Sequence, residues 1–393
     1  LLAGVLLSFT SSFGQTYFIS VFAGEIMESF ALTDGQWGGL YTIGTTASAL
    51  VMVWMGGLTD RFRVRAITPL VLIGLMLACL AMAAAPGPVY LVLVIFALRF
   101  FGQGMLMHLA VVAMARWFVA TRGTALSISA MGFGIGQAIL PIIFVALLAL
   151  ADWRILWVAA AGLVIVVLPI IAYLLRLERT PQSIAKDSQS VGMNGKHWKR
   201  SDMLRHPLFW FVVPLLFGPP AWGTALFFQQ VHLTEVKGWA LGSYVALNPI
   251  FILVSTISTF ASGALVDKLG TGKLLPFYPV PAAIAFALMA GAETILGAGV
   301  ALAIFGISAG MQATVPGAFW AEYYGTRHVG SIKAAAVAIM VFGSAAGPGI
   351  TGWLIDLGID FPDQMWPIAI YYVISGILVW IGLRQVGPLP RPA

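Results

Sequence analysis

The sequence predicts an all-α membrane protein whose twelve transmembrane helices form two pseudo-symmetric six-helix bundles. Three observations lead there. The 393 residues are 60% hydrophobic and only 9% charged, against about 25% charged for a soluble domain, and the mean hydropathy is +0.94. The apolar residues fall in runs of the ~20 residues that a helix needs to cross a bilayer, without the ~10-residue alternation of a membrane barrel. A loop motif recurs at matching places in the two halves of the chain. Together these exclude a soluble enzyme, a nucleic-acid binder and a disordered tail protein. The sequence pI near 9.5 reflects few, scattered basic residues, as in the loops of a membrane protein.

In order, the spans are expected at 1–28, 36–58, 66–85, 88–115, 123–149, 153–175, 207–231, 239–264, 273–292, 295–320, 331–355 and 365–385. The chain opens in an apolar run with no basic n-region, so no signal peptide is visible, and the numbering is expected to begin inside the first helix. The long polar segment 176–206 reads as a solvated linker. It divides an N-terminal bundle (1–175) from a C-terminal one (207–393). With that linker inside, 18 of the 21 Lys and Arg residues fall on its side, Arg154 and Lys237 on the other, and Arg99 remains within a span. This asymmetry predicts both termini cytoplasmic. A bacterial inner membrane is the expected location. The single cysteine, Cys79, allows no intrachain disulfide, and no metal-ligand cluster or cofactor motif is visible.

The internal repeat is explicit. Gly56-Gly57-Leu58-Thr59-Asp60-Arg61 follows the second span, and Gly263-Ala264-Leu265-Val266-Asp267-Lys268 follows the eighth, with the two aspartates 207 residues apart. Arg122-Gly123-Thr124 and His328-Val329-Gly330-Ser331 echo each other two spans later. Parallel six-helix repeats of this kind build transporters that rock two bundles about a midplane site. These residues resemble the major facilitator superfamily, whose signature loop is Gly-x-x-x-Asp-Arg-x-Gly-Arg-Arg. The second copy matches it well, while the first has Arg63 at the second glycine. The resemblance implies the major facilitator fold, with Asp60, Arg61, Asp267 and Lys268 as an inner gate. A finer resemblance, to the monocarboxylate and oxalate/formate porter branch, rests on Ser11-Ser12-Phe13-Gly14, Gly132-Phe133-Gly134-Ile135-Gly136, Asp152-Trp153-Arg154 and Pro207-Leu208-Phe209-Trp210. It departs from that branch in span eight, where 239–262 carries no charged residue to hold a carboxylate.

Arg99 is the most informative residue. It lies about eleven residues into span four, where a charge costs several kcal/mol unless it meets a wet cavity or a partner. As a ligand, its planar fork of donors would suit an anion. As a structural residue, it would bond the backbone of span one. Gln103 shares its face one turn on, whereas His108 points the opposite way and reads as structural. Glu25, near the outer end of span one with Glu28 and Asp34, is a candidate coupling carboxylate. Gln229 and His232 share one helix face and could line an outer vestibule. Gln15, Tyr17, Gln137, Trp222, Asn248 and Gln312 are solute-site candidates by depth. Pro219-Pro220 and Asn248-Pro249 are expected to interrupt their helices.

The expected function is secondary active transport of a small organic anion, a monocarboxylate first, by alternating access. The alternative is a carrier of the same fold for a neutral or cationic solute, or a drug exporter, with Arg99 structural. No Gly-x-x-x-x-Gly-Lys-(Ser/Thr) stretch supports an ATP-driven pump, and no nucleophile–base pair suggests an enzyme. The expected partners are the solute, a proton or counter-anion, and the lipid bilayer. No nucleic acid is expected, and a monomer is.

Overall fold

The computed structural model describes residues 1–55, 58–117, 122–176, 191–325, 328–386 and 389, which are almost wholly helical. Among them, nine helices are long and apolar enough to cross a membrane, or ten if Leu2–Gly14 and Thr16–Phe30, bent by 49°, count as one span. Asp34–Met55 and the shorter Val280–Gly291 complete the twelve. Every expected span has a helix, with boundaries shifted by a few residues. The bent first span is followed by Asp34–Met55, Val64–Ala83, Pro88–Trp117 in three joined pieces, Arg122–Leu148 and Trp153–Leu175. After the linker come Pro207–Phe228, extended by Gln230–Lys237, then Leu241–Val245 leading into Asn248–Leu269. Thr271–Leu274 with Val280–Gly291, Ile295–Tyr324, Val329–Asp356 and Phe361–Val386 follow.

The repeat shows in which helices pack together. In the first half, span one packs on span five, two on four and three on six. In the second half, seven packs on eleven, eight on ten and nine on twelve. Each pair is the earlier one displaced by six helices. Small residues make the approach close, as transmembrane interfaces require. A Cβ on Gly132 would strike the Val5 carbonyl, and one on Gly347 the Ala221 carbonyl. Gly14 and Gly102 meet backbone to backbone where spans one and four cross: a Cβ on Gly102 would lie 2.6 Å from the Gly14 Cα.

Two expectations are corrected. Pro219 and Pro220 do not interrupt span seven, which runs unbroken through Pro207–Phe228 and breaks instead at Gln229. Pro219 leaves the Leu215 carbonyl without its helical donor, and the Tyr278 hydroxyl donates to that oxygen at 3.3 Å. The break before Asn248-Pro249 is present, at 246–247. The described part of the linker, 191–206, is also not simply solvated. Met193 and Met203 are buried against Phe209, Trp320 and Tyr324, and Trp198 Nε1 donates to the Met193 carbonyl at 3.1 Å.

The Gly14–Gly102 crossing gives a stability test. Gly14→Ala would drive a methyl into the Leu98 carbonyl, whereas Gly162 has nothing within 4 Å of a Cβ. Gly14→Ala should lower stability by about 1–3 kcal/mol, the usual range for overpacking. Gly162→Ala should leave it unchanged or slightly raised, as read by thermal unfolding in one detergent.

Candidate solute site and gate

The site is built on a break. At Gln15 the backbone is extended (φ −91°, ψ 151°), between a 3₁₀ turn at Ser11–Gly14 and the helix that resumes at Thr16. A backbone carbonyl freed at membrane depth needs a new donor, and Arg99 supplies it. Its Nη1 donates to the Gly14 carbonyl at 3.2 Å and to Thr16 Oγ1 at 3.2 Å. Thr16 in turn hydrogen-bonds the Tyr41 hydroxyl, and the guanidinium lies 5.4 Å from the centroid of the Tyr41 ring. Arg99 is 2% exposed. Its Nε–H has no hydrogen-bond acceptor, and no carboxylate among the described residues pairs with it. Span four is wound as a π-helix over Arg99–Leu106, a widening frequent at functional sites.

Four of the other candidates gather at this break. Gln15 forms it. Tyr17 is buried, donates to Ser12 Oγ at 2.8 Å and meets the Phe133 ring edge-on at 5.6 Å. The half-buried Gln103 sits beside it, since a Cβ on Gly14 would lie 3.0 Å from the Gln103 nitrogen. Buried Gln137 follows Gly136, whose Cβ would lie 3.4 Å from the Tyr17 hydroxyl. Trp222, Asn248 and Gln312 stand apart on spans seven, eight and ten, and among the described residues no hydrogen bond joins them to this group. Asn248 is 1% exposed with both amide atoms unpartnered. The Trp222 indole N–H is likewise unpartnered, its ring edge-on to Tyr371 at 5.7 Å. Gln312 is half-buried. Glu25 is exposed and lines a cavity of about 450 Å³ with Glu28, Thr234 and Glu235. His108 is tied by its Nε2 to Thr59 Oγ1 at 3.1 Å.

The two halves are joined at one end, which carries the loops after the odd-numbered spans and is called here the odd-loop end. Asp356, at the end of span eleven, accepts hydrogen bonds from the Gly35 amide (3.1 Å) and the Thr33 hydroxyl (2.6 Å), capping the start of span two from the other half. Thr42 Oγ1 donates to the Ala345 carbonyl at 2.7 Å. Trp37 stacks on Phe228 at 5.7 Å. Ser20 donates to the Phe227 carbonyl at 2.7 Å and accepts from Gln230 Nε2 at 3.0 Å. His232 lies between Asp34 and Asp360, at 3.7 and 3.3 Å.

At the linker end, Asp267 and Lys268 are exposed and neither is ion-paired with a described residue. The side chains of Asp60 and Arg61 lie outside the described residues. The carboxylate that does cap the loop after span eight is Glu322, which accepts from the Thr271 amide at 2.9 Å and its hydroxyl at 2.6 Å. Glu322 was not singled out by sequence, although Gly270 (φ 76°) and Thr271 form a turn that presents an N–H and a hydroxyl together. The odd-loop clasp was missed as well, because its parts are over 300 residues apart. Its one local signal was the small-residue stripes Gly35–Gly38 and Gly349–Gly352 on the two helices.

Interrupted helices crossing at mid-depth, between two six-helix repeats held together at one end, are the architecture of a secondary transporter. The chain belongs to the major facilitator superfamily, whose family profile matches residues 4–348. Among solved structures it is similar to the bacterial homolog of the human lysosomal transporter Spinster, described as inward-facing and unoccupied. That likeness has 18% identity and a TM-score of 0.72, covering 97% of this chain and 96% of that one. It is also similar to the nucleoside transporter NupG, with 13% identity and a TM-score of 0.76, covering 98% and 99%. A search of curated proteins finds no match.

The clasp can be tested without a solute. Spin labels on cysteines at Leu150 and Leu296, 83% and 79% exposed at the odd-loop end, report the separation of the halves there. Asp356→Ala removes the cap, an interaction of about 1 kcal/mol. It should raise the open-to-closed ratio about five-fold in the interspin distance distribution, whereas Glu293→Ala, at a position exposed in the loop after span nine, should not change it.

Proposed function

We propose that this chain transports a small organic anion, a monocarboxylate first, by rocking the bundle 1–175 against the bundle 207–393 about the break in span one. Membership of the superfamily makes it a small-molecule transporter of the membrane rather than an enzyme. The anion reading is carried by Arg99. A buried guanidinium with no carboxylate paired to it among the described residues leaves a positive potential at mid-depth, and its Nε–H is a donor without an acceptor there. An anion arriving there would offset the cost of the charge. Gln15, Tyr17, Gln103 and Gln137 on one half, and Trp222, Asn248 and Gln312 on the other, would hold the rest of the solute.

The monocarboxylate and oxalate/formate branch remains the favoured relative within the superfamily, on the span-one and span-five motifs. The excess of Lys and Arg on the linker side supports a cytoplasmic linker and cytoplasmic termini, in a bacterial inner membrane. In this reading Asp267 and Lys268, with Asp60 and Arg61, close the linker end in the opposite state. Glu25, exposed to the open cavity, is the coupling carboxylate, for a proton moved with the anion or in exchange for a counter-anion. The carrier works as a monomer.

One observation favours a second reading. Arg99 already bonds Gly14 and Thr16, so it could serve the fold alone while a neutral solute binds the amides and aromatic residues.

Binding to the purified protein separates the two. Charge-assisted hydrogen bonds are worth about 1.5–3 kcal/mol, so Arg99→Gln should weaken binding of small carboxylates about ten-fold or more in folded, monodisperse protein. Arg99→Lys should restore it only in part, lacking the planar fork. Unchanged carboxylate affinity in folded Arg99→Gln would reject the anion site and favour the neutral-solute reading. Asp267→Asn should slow transport in proteoliposomes several-fold with little change in equilibrium binding. Weakened binding at normal turnover would reject its gate role.

A further inference from the structure

We propose that His232 is the centre of a proton-binding latch: a proton taken up by its imidazole closes the odd-loop end, so the conformational equilibrium follows the pH of the medium there. The inference deepens the transporter reading and rests on it for its meaning. Its test reads conformation rather than solute.

The imidazole sits just beyond the break at Gln229, in the second half. Its Nδ1 faces Asp34 Oδ2 of the first half at 3.7 Å, and its Nε2 faces Asp360 Oδ1 of its own half at 3.3 Å, at ion-pair distance without hydrogen-bond geometry. Its side chain is 13% exposed and that of Asp34 21%. The remaining Asp34 oxygen, Oδ1, is buried without a donor. Asp356 is committed to Thr33 and Gly35 beside them. Closure therefore brings three carboxylates from two halves around one imidazole.

A neutral imidazole has a single N–H and can answer only one of its two carboxylates, whereas an imidazolium has two donors, one for each side. It also supplies the only positive charge directed at the cluster by a described residue. On the same short helix, Lys237 Nζ is spent on the Ala290 carbonyl at 2.6 Å. Glu235 turns to the groove it shares with Glu25 and Glu28. Asp363, near Asp360 at the start of span twelve, is exposed. All four of these acids add negative potential in the same sense. Gathering carboxylates out of water is costly without a cation, so the closed end favours the protonated imidazole. Opening carries Asp34 away from it. Proton uptake and closure are then reciprocally linked. The closed state is favoured at low pH and loses that advantage as pH rises through the range in which histidine titrates.

The experiment uses the full chain in lipid nanodiscs, labelled at Leu150→Cys and Leu296→Cys, with no solute, at about pH 5.5 and about pH 8. The closed-to-open ratio should be about ten-fold higher at the lower pH, within the usual range for coupling between two linked events. His232→Gln should be insensitive to pH, and His232→Arg should stay closed at both values. Asp34→Asn, which removes the cross-half carboxylate, should flatten the response and keeps the proposal testable if either His232 variant fails to fold. A wild-type ratio that does not move with pH, or a His232→Gln response equal to wild type, would overturn the latch and leave the carrier reading standing. The absence of an open odd-loop population in wild type and in every variant would count against both.

Discussion

In hydrocarbon, every backbone polar group must find its partner inside the protein, and the first span meets that constraint in an unusual way. Its helix is broken at Gln15, and the Gly14 carbonyl is returned to a hydrogen bond by an arginine from another span. The arrangement depends on two glycines in backbone contact, Gly14 and Gly102, and on span four widening into a π-helix to deliver Arg99. Arg99, Thr16 and Tyr41 then form a chain to Phe228 in the other half, with ring centroids 4.6 Å apart. The mid-depth break and the closed end are thus one connected structure, so a change at either can be felt at the other.

The seam at the odd-loop end combines a few strong polar contacts with a smooth, small-residue surface. Asp356 places a carboxylate on the first amides of span two, where a helix N-terminus favours negative charge. Below it, Gly38 and Gly349 let the two backbones approach. A small-residue surface suits an interface that must separate and re-form. At the linker end, Asp267 and Lys268 make no ion pair with a described residue. The molecule is therefore seen with its odd-loop end sealed.

Much of the fold was legible because it depends on hydropathy and charge asymmetry, which are local. All twelve spans, the repeat and the break before Pro249 could be read directly. The break in span one could not, because no proline marks it. It exists because Gly14 and Gly102 cross, a relation 88 residues apart. Pro219-Pro220 misled because a tyrosine from span nine, Tyr278, supplies the missing donor. Arg99 stood out as a lone mid-span charge, but its acceptors on span one needed the tertiary structure. His232 was visible as a possible vestibule residue. Its partners come from both halves, Asp34 at the start of span two and Asp360 just before span twelve, and no sequence spacing could have joined them.

The central claim is that the seam between spans two and eleven alternates with closure of the linker end. The direct measurement cross-links the seam and watches the far end. Thr42→Cys and Ala345→Cys replace residues in contact across it, and the native thiol, Cys79, is buried. Spin labels at Phe62 and Leu269, both exposed at the linker end, report the separation there. With the disulfide reduced, the account predicts two populations at the linker end, one long and one short. With it formed, only the long one should remain. A linker-end distribution indifferent to the cross-link would contradict the account.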